Sequence, residues 1–215
     1  MSKYHYLESL GDMRNPDTIL GHVLKLVDVG SAADIGCGVG TWTESLRNYG
    51  VEKVLALDAE WFDAEILKKH IRSEDFVCHN LDDGVYHSRE KYDLALCLEV
   101  AEHIAPENEL NVVETLVGLS DVILFSAAIP GQGGDGHVNE QWPSHWRELF
   151  RRYGYEFLDV VRPYIWTNKF IHKWYRQNTF LVVKKKLTGK IWDRFTALEL
   201  ENQMLDVVHP EYWKK

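Results

Sequence analysis

The architecture of this chain turns on Ala32-Ala33-Asp34-Ile35-Gly36-Cys37-Gly38-Val39-Gly40-Thr41-Trp42-Thr43-Glu44. A short apolar run ends in three glycines spaced two apart and passes directly into residues suited to a helix start. Glycines let a backbone turn sharply and approach a ligand closely, while free N–H groups at a helix start meet polar or negative ligand atoms. The spacing is G-x-G-x-G. It departs from the G-x-G-x-x-G dinucleotide fingerprint and lacks the Gly-Lys-Ser/Thr of a phosphate-binding P-loop, which weakens both nucleotide-phosphate readings.

Outward from this turn, short apolar runs alternate with amphipathic stretches. Residues 32–35, 54–57, 76–78, 92–98 and 122–126 are apolar and bounded by Gly, Asp, Asn or Pro, as strands buried on both faces are. Residues 41–48, 61–71 and 106–119 read as helices, with Pro106 suited to a first helical turn. Strand and helix in this alternation predict parallel strands joined by right-handed crossovers. The expected fold is α/β: a Rossmann-like doubly wound sheet, mostly parallel with an antiparallel last strand, and helices on both faces. Residues 155–161 and 179–183 are the later β-like runs, joined through a long Trp/Tyr/Lys-rich connection at 162–178. A tail helix is expected over about 190–206, after Gly189, with Ile191, Phe195, Leu198 and Leu205 as its stripe. No repeat, low-complexity tract or Ser/Pro linker interrupts the chain, so residues 1–215 read as a single domain with substrate loops at 129–146 and 162–178.

Composition narrows the function. A chain of 215 residues buries roughly 70% of the surface its unfolded form exposes and needs no disulfide or structural metal for its core. No run approaches the roughly 20 apolar residues of a membrane-spanning helix. Charges in MSKYHYLESLGDMRNPDT stand where an export signal is apolar, which predicts a cytoplasmic protein. Cys37, Cys78 and Cys97 are odd in number and widely spaced, and read as reduced, buried thiols. The formal net charge of −9 argues against a nucleic-acid partner, because backbone binders need a clustered positive surface. Lys184, Lys185, Lys186 and Lys190 read as a solvated strand end.

Asp58 closes the second strand, 22 residues after Gly36, where an acid can accept both hydrogen bonds of a ribose diol. The third strand leads to Asn80-Leu81-Asp82-Asp83, and the fourth to Leu98-Glu99-Val100-Ala101-Glu102-His103. In this order and spacing, the stretch from Ala32 to Ser126 resembles the class I S-adenosylmethionine-dependent methyltransferases. The resemblance implies that Gly36, Gly38 and Gly40 pass beneath the methionine part of the cofactor and that Asp58 holds the ribose. It sets Asn80 and Leu81 at the adenine and Glu99 near the methionine end, with Asp34, Cys37, Trp42, Ala59 and Val100 completing the cofactor set.

Glu99, Glu102 and His103 stand at i, i+3 and i+4, so a helical turn starting there would place them on one face. With His137 from the Gly-rich loop after the fifth strand, they form a candidate site for an oxygen-preferring divalent ion, Mg²⁺ or Mn²⁺. The pattern is similar to that of metal-dependent O-methyltransferases, including small-RNA 2′-O-methyltransferases and ubiquinone-pathway enzymes. By that likeness an ion would grip a diol, lower a hydroxyl's pKa and hold the oxygen in line with the sulfonium methyl. The metal-free reading stays open, with His103 or His137 as general base and Glu102 beside them in the catalytic set.

The run from Gly136 to Trp146 and the later Tyr164-Ile165-Trp166 and Lys173-Trp174-Tyr175-Arg176-Gln177-Asn178 place aromatics beside amides and cations. Flat faces stack on sugar C–H surfaces while amides take hydroxyls, which makes Glu140, Trp142, Trp174, Tyr175, Arg176 and Asn178 the candidate substrate residues. Trp146, Leu149 and Phe150 read as packing. These runs and the closing Val208-His209-Pro210-Glu211-Tyr212 are similar to methyltransferases found with polysaccharide and surface-glycan assembly enzymes. The expected activity is O-methylation of a sugar hydroxyl on a glycan or sugar intermediate. Association with glycan-assembly enzymes is expected of it; methylation of a small metabolite or natural product without metal is the alternative, followed by RNA modification and by a non-catalytic binding module that has kept the cofactor fold as a subunit of a larger assembly.

Overall fold

The computed structural model describes residues 12–59, 69–194 and 207–209. Ser31–Ile35 (β1), Lys53–Asp58 (β2), Phe76–Cys78 (β3), Leu94–Leu98 (β4), Val122–Ser126 (β5), Tyr155–Leu158 (β6) and Phe180–Lys184 (β7) form one sheet in the order β3-β2-β1-β4-β5-β7-β6. β1 to β5 pair in parallel, and β7 runs antiparallel to both β5 and β6. The helices are Arg14–Leu26 (α1), Thr41–Asn48 (α2), Glu109–Leu119 (α3), Pro143–Arg152 (α4), Arg162–Ile165 (α5), Lys173–Asn178 (α6) and Thr188–Arg194 (α7). This is the expected Rossmann-like doubly wound sheet with one antiparallel strand, the last. Strand order reverses between β1 and β4, which opens a crevice at the carboxyl ends of those strands.

The apolar strands sort their side chains by the period of two. Ala33 and Ile35 of β1, Ala95 and Cys97 of β4, and Ile123 and Phe125 of β5 pack against Val112, Val113 and Leu116 of α3 and Trp146 and Phe150 of α4. The alternate residues Ala32, Leu94, Leu96 and Leu124 pack on the opposite face against Ile19, Leu20 and Val23 of α1 and Leu46 of α2. Every residue of β4 and β5 is buried, as strands covered on both faces must be. No described helix is long and apolar enough to cross a membrane.

Several boundaries differ from the sequence expectation. β4 begins at Leu94, because Asp93 turns its carboxylate back to accept the N–H groups of Gly30 and Ser31, each at 2.9 Å, and Tyr92 makes only an isolated bridge to Ser120. β6 ends at Leu158, and the long connection at 162–178 holds two short helices. Residues 106–108 form a 3₁₀ turn before α3. Cys37 and Cys97 are buried but Cys78 is exposed, since β3 is a three-residue edge strand covered on one side only by β2. The helix expected over 61–71 lies mostly outside the described residues, and Ile71 is not helical. α7 starts at Thr188 and so contains Gly189; Phe195, Leu198 and Leu205 lie outside the described residues.

The Phe125 ring joins β5 to both α4 and β6, with ring centroids 5.5 Å from Trp146, 5.3 Å from Phe150 and 6.1 Å from Phe157. Phe125→Ala is expected to cost about 3–5 kcal/mol in urea unfolding, the range for removing a core aromatic, without changing which residues pair in the sheet.

Candidate active site

The glycine turn sits where β1 meets β2. The N–H groups of Gly36 and Cys37 both donate to the Leu57 carbonyl, at 2.7 and 3.0 Å. Gly36 and Gly38 have φ of 74° and 55°, the left-handed region that favours glycine. A Cβ on Gly36 would lie 2.3 Å from Val100 Cγ2, so this glycine is closed by packing. A Cβ on Gly38 would meet nothing within 4 Å, so the middle of the turn faces open space that a ligand can occupy. Gly38 N–H donates to Asp58 Oδ2 at 2.8 Å, and Ala59 N–H to Asp58 Oδ1 at 2.7 Å. Burial pushes the Asp58 carboxyl up against the lowering effect of those two donors.

Behind the turn, Asp34 is buried and accepts Thr43 Oγ1–H at 2.7 Å. Burial, with the nearby Asp58 charge adding to it, raises its pKa to about 7. The Cys37 thiol is likewise pushed up by burial, which makes it packing rather than a nucleophile. Trp42 is buried in the core beneath α2, its ring edge-on to Tyr175 at 5.4 Å.

At the end of β3 the Asn80 side-chain Oδ1 accepts Asp82 N–H at 3.0 Å, so the turn leaves the Asn80 NH₂ group, a donor, for a ligand. Leu81 is buried and its carbonyl takes Asn111 Nδ2 at 2.7 Å. Asp82 accepts Ala105 N–H and Asn108 Nδ2, each at 3.0 Å, which fastens this loop to the segment after β4.

Residues 99–103 do not form the helical turn expected of them. Glu99 has φ of 56°, a left-handed conformation costing about 1–3 kcal/mol in a non-glycine residue, and only Ala101–His103 forms a 3₁₀ turn. Glu99 therefore does not share one face of a helical turn with Glu102 and His103. Its carboxylate accepts Asn178 Nδ2 at 3.0 and 3.3 Å and Gln132 Nε2 at 2.8 Å, while Gln132 Oε1 accepts Asn178 Nδ2 at 2.9 Å. Asn178, expected at the substrate, is buried and holds Glu99 instead. Gln132 carries no sequence signal for this role, since its partner lies 33 residues earlier in the chain.

Glu102, His103 and His137 do come together, with one donor atom from each within 4.8 Å of the others. Glu99, the fourth expected ligand, is not in this set. Glu102 is fully buried and neither of its carboxylate oxygens has a hydrogen-bond partner. Burial, reinforced by the Glu99 charge, pushes its pKa well above the ordinary carboxylate range. The two imidazoles meet edge-on at 4.9 Å, and burial together with His137 lowers the His103 pKa. Glu140, expected at the substrate, serves the loop instead: it accepts His137 Nδ1 at 2.8 Å and the N–H groups of Gly131 and Gly133 at 2.7 and 2.8 Å. Burial opposes its ionisation, yet His137 and those donors hold its pKa below the ordinary value.

The remaining expected substrate residues divide. Trp142 leads into α4 with its side 37% exposed. Trp174 is half-buried and stacks on His172 at 4.4 Å, and Tyr175 is half-buried against Trp42. Arg176 is buried and reaches the Trp166 carbonyl at 3.3 Å and His209 Nε2 at 3.2 Å, so it holds the chain together as well as facing a cleft.

Two outcomes follow from this geometry. Gly36→Ala, with both a left-handed φ and a collision, is expected to lose about 2–4 kcal/mol of stability, whereas Gly38→Ala loses only the strain of about 1–2 kcal/mol. Urea unfolding of the two variants tests that order. An acid whose folded pKa lies above its unfolded value stabilises below the unfolded pKa, and that stability is lost as pH rises through the folded value. Wild-type stability is therefore expected to fall between about pH 4 and the Asp34 value of about 7, and Asp34→Asn, which keeps an oxygen for Thr43, to flatten that slope in denaturant titrations at stepped pH.

Residues 32–119 match the methyltransferase domain family. No curated protein matches the chain by sequence. Among solved structures, the chain is similar to an S-adenosylmethionine-dependent methyltransferase from Clostridium acetobutylicum, at 15% identity over 84% of this chain and 95% of the other, with a TM-score of 0.61. It is similar also to magnesium protoporphyrin IX methyltransferase from Synechocystis with bound S-adenosylmethionine, at 17% identity over 86% of each chain and a TM-score of 0.58. The methyltransferase domain of bacterial CtHen1 aligns at 17% identity over 79% of this chain and 97% of the other, with a TM-score of 0.53. The matched segment holds the glycine turn, Asp58, Asn80 and residues 99–103, and the fold around it is the Rossmann-like methyltransferase fold.

Proposed function

We propose that the enzyme moves the methyl group of S-adenosylmethionine to a hydroxyl of a sugar or glycan, with Mg²⁺ or Mn²⁺ held by Glu102, His103 and His137. The observation that carries this reading is the Glu102 carboxylate, buried without a partner beside two imidazoles. A buried carboxylate is costly unless neutralised or paired, and a divalent cation is the partner that this donor set fits. Such an ion would supply Lewis acidity, lowering the pKa of the acceptor hydroxyl.

The chain's own residues supply the rest. The open face of Gly38 admits the cofactor and Asp58 accepts from its ribose hydroxyls. Asp34, Asp58, Glu99 and Glu102 are all acids whose charged form burial disfavours, so this end of the crevice favours a cationic ligand such as one bearing a sulfonium and an ammonium group. Asn178 and Gln132 hold Glu99 toward the methionine end. Glu140 fixes the tautomer and orientation of His137, as a carboxylate behind a ligating or basic imidazole does. Trp142 and Trp174 offer flat faces to sugar C–H surfaces.

A second reading, methylation of a small metabolite or natural product without metal, is favoured by one observation. The lowered His103 pKa keeps its imidazole neutral at neutral pH, ready to take the hydroxyl proton as the oxygen attacks the methyl.

Calorimetry separates the two. Metal-stripped protein is titrated with S-adenosylhomocysteine, then with Mg²⁺ and Mn²⁺, as wild type and as Glu102→Ala/His103→Ala. The metal reading expects cofactor binding in both proteins and a metal isotherm in the wild type alone; a metal isotherm unchanged in the double variant overturns it. The metal-free reading expects no metal isotherm, activity that survives EDTA, and kcat/KM that rises with pH and levels off below the ordinary imidazole value of about 6.5. Failure of wild-type protein to bind S-adenosylhomocysteine sinks both.

A further inference from the structure

The α6 helix carries two side chains, one turn apart, to the methyl-transfer end. Tyr175 and Asn178 stand at i and i+3, on one face of the helix. Asn178 Nδ2 donates to the Glu99 carboxylate at 3.0 Å. The Tyr175 ring lies edge-on to Trp42, in the first turn of the helix that follows the glycine loop, with ring centroids 5.4 Å apart. Tyr175 therefore reaches the cofactor loop's own helix on one side, while Glu99 and Glu102 lie close enough for their charges to act on its phenol.

The hydroxyl of this tyrosine is set up to give a hydrogen bond. The indole N–H groups of Trp42 and Trp174 donate toward its oxygen. A phenol oxygen that already receives donors has its own O–H left to give. Among the described residues the Glu99 carboxylate takes its hydrogen bonds from Asn178 and Gln132 rather than from Tyr175, and no other group accepts the Tyr175 O–H. Burial, reinforced by the Glu99 charge, pushes the phenol's pKa up, so the proton stays in place at neutral pH. A donor taken out of water without an acceptor carries a desolvation cost that an acceptor on a ligand relieves.

S-adenosylmethionine ends in an α-ammonium and an α-carboxylate. The acids gathered at this end of the crevice favour the ammonium and the sulfonium but repel the carboxylate, which needs a donor among them. Beside Glu99 acceptors are in excess, because Asn178 Oδ1 is also buried there without a partner, and that side suits the ammonium. The Tyr175 O–H is an uncharged donor one helical turn away. We propose that the Tyr175 hydroxyl donates to the α-carboxylate of the cofactor, which makes Tyr175 a specificity-determining residue for the amino-acid end of S-adenosylmethionine rather than a contact of the sugar. This rests on the methyl-transfer reading above. A neutral phenol suits the position better than Lys or Arg, since a cation there would pair with Glu99 or Glu102 and displace the ammonium from them.

The test is calorimetric titration of the intact chain, as wild type and as Tyr175→Phe, with S-adenosylhomocysteine and with its decarboxylated analogue, which keeps the ammonium and lacks only the carboxylate. The substitution keeps the ring on Trp42 and removes one oxygen. It is expected to weaken S-adenosylhomocysteine at least about tenfold, as loss of a hydrogen bond to a charged group does, and to leave the analogue within about twofold. Equal weakening of both ligands would make Tyr175 a packing residue and overturn the proposal. Unchanged affinity for both would overturn it as well and leave the hydroxyl to the methyl acceptor. Failure of the wild type to bind S-adenosylhomocysteine fails the methyl-transfer reading itself, whereas wild-type binding without a ligand-dependent loss in the variant fails the Tyr175 assignment alone.

Discussion

The hydrogen bond from Gly38 N–H to Asp58 is the constraint on which the cofactor end depends. It joins the turn after β1 to the tip of β2, and parallel pairing of Ile35 with Leu57 brings the two into reach. The Leu57 carbonyl holds the start of the same turn through Gly36 and Cys37. Backbone hydrogen bonds and packing thus set the shape of the loop, while Val100 fills the space beside Gly36 and leaves the space over Gly38 open. Central strands buried on both faces give this arrangement a rigid base.

Around that base the molecule concentrates acids and pays for it in their ionisation. Asp34, Asp58, Glu99 and Glu102 lie at one end of the sheet, each with a pKa raised first by burial. Three of them have donors in place: Thr43 for Asp34, the turn N–H groups for Asp58, and the two amides for Glu99. Glu102 alone of the four has no partner in hydrogen-bonding geometry among the described residues, although its own N–H and that of Ala128 act to lower its pKa. Its backbone carbonyl, by contrast, takes the N–H groups of Val138 and Asn139, so the turn that carries Glu102 also anchors the loop that carries His137. Glu140 completes the loop by holding His137 and two glycine N–H groups with one carboxylate.

The helix α6 links this acidic end to a cleft on its other side, lined by Arg14, Phe170 and His172. Its last residue, Asn178, touches Glu99, and its first residues line the cleft. Trp42 and Tyr175, packed edge-on, are the apolar contact that holds the helix to the floor of the sheet.

The alternation of apolar runs with helical stretches was sufficient to determine the sheet class, the glycine turn and the placement of Asp58, because strand period, glycine freedom and residue spacing are local properties of a chain. The gathering of Glu102, His103 and His137 was also legible, since two are adjacent and the third follows the next strand. The fate of Glu99 was not: its left-handed backbone is stabilised by Gln132 and Asn178, partners 33 and 79 residues away. Glu140, Asn178 and Arg176 bear the residue types of a sugar site, yet their contacts are largely with the protein itself, and sequence carries no record of which partner a polar side chain finds. The cleft beside α6 joins Arg14 to residues more than 150 positions later, a proximity that only the packing of α1 against the 162–178 segment creates. Local patterning therefore determined the scaffold and where the chemistry is housed, and tertiary packing decided which polar groups remain available to do it.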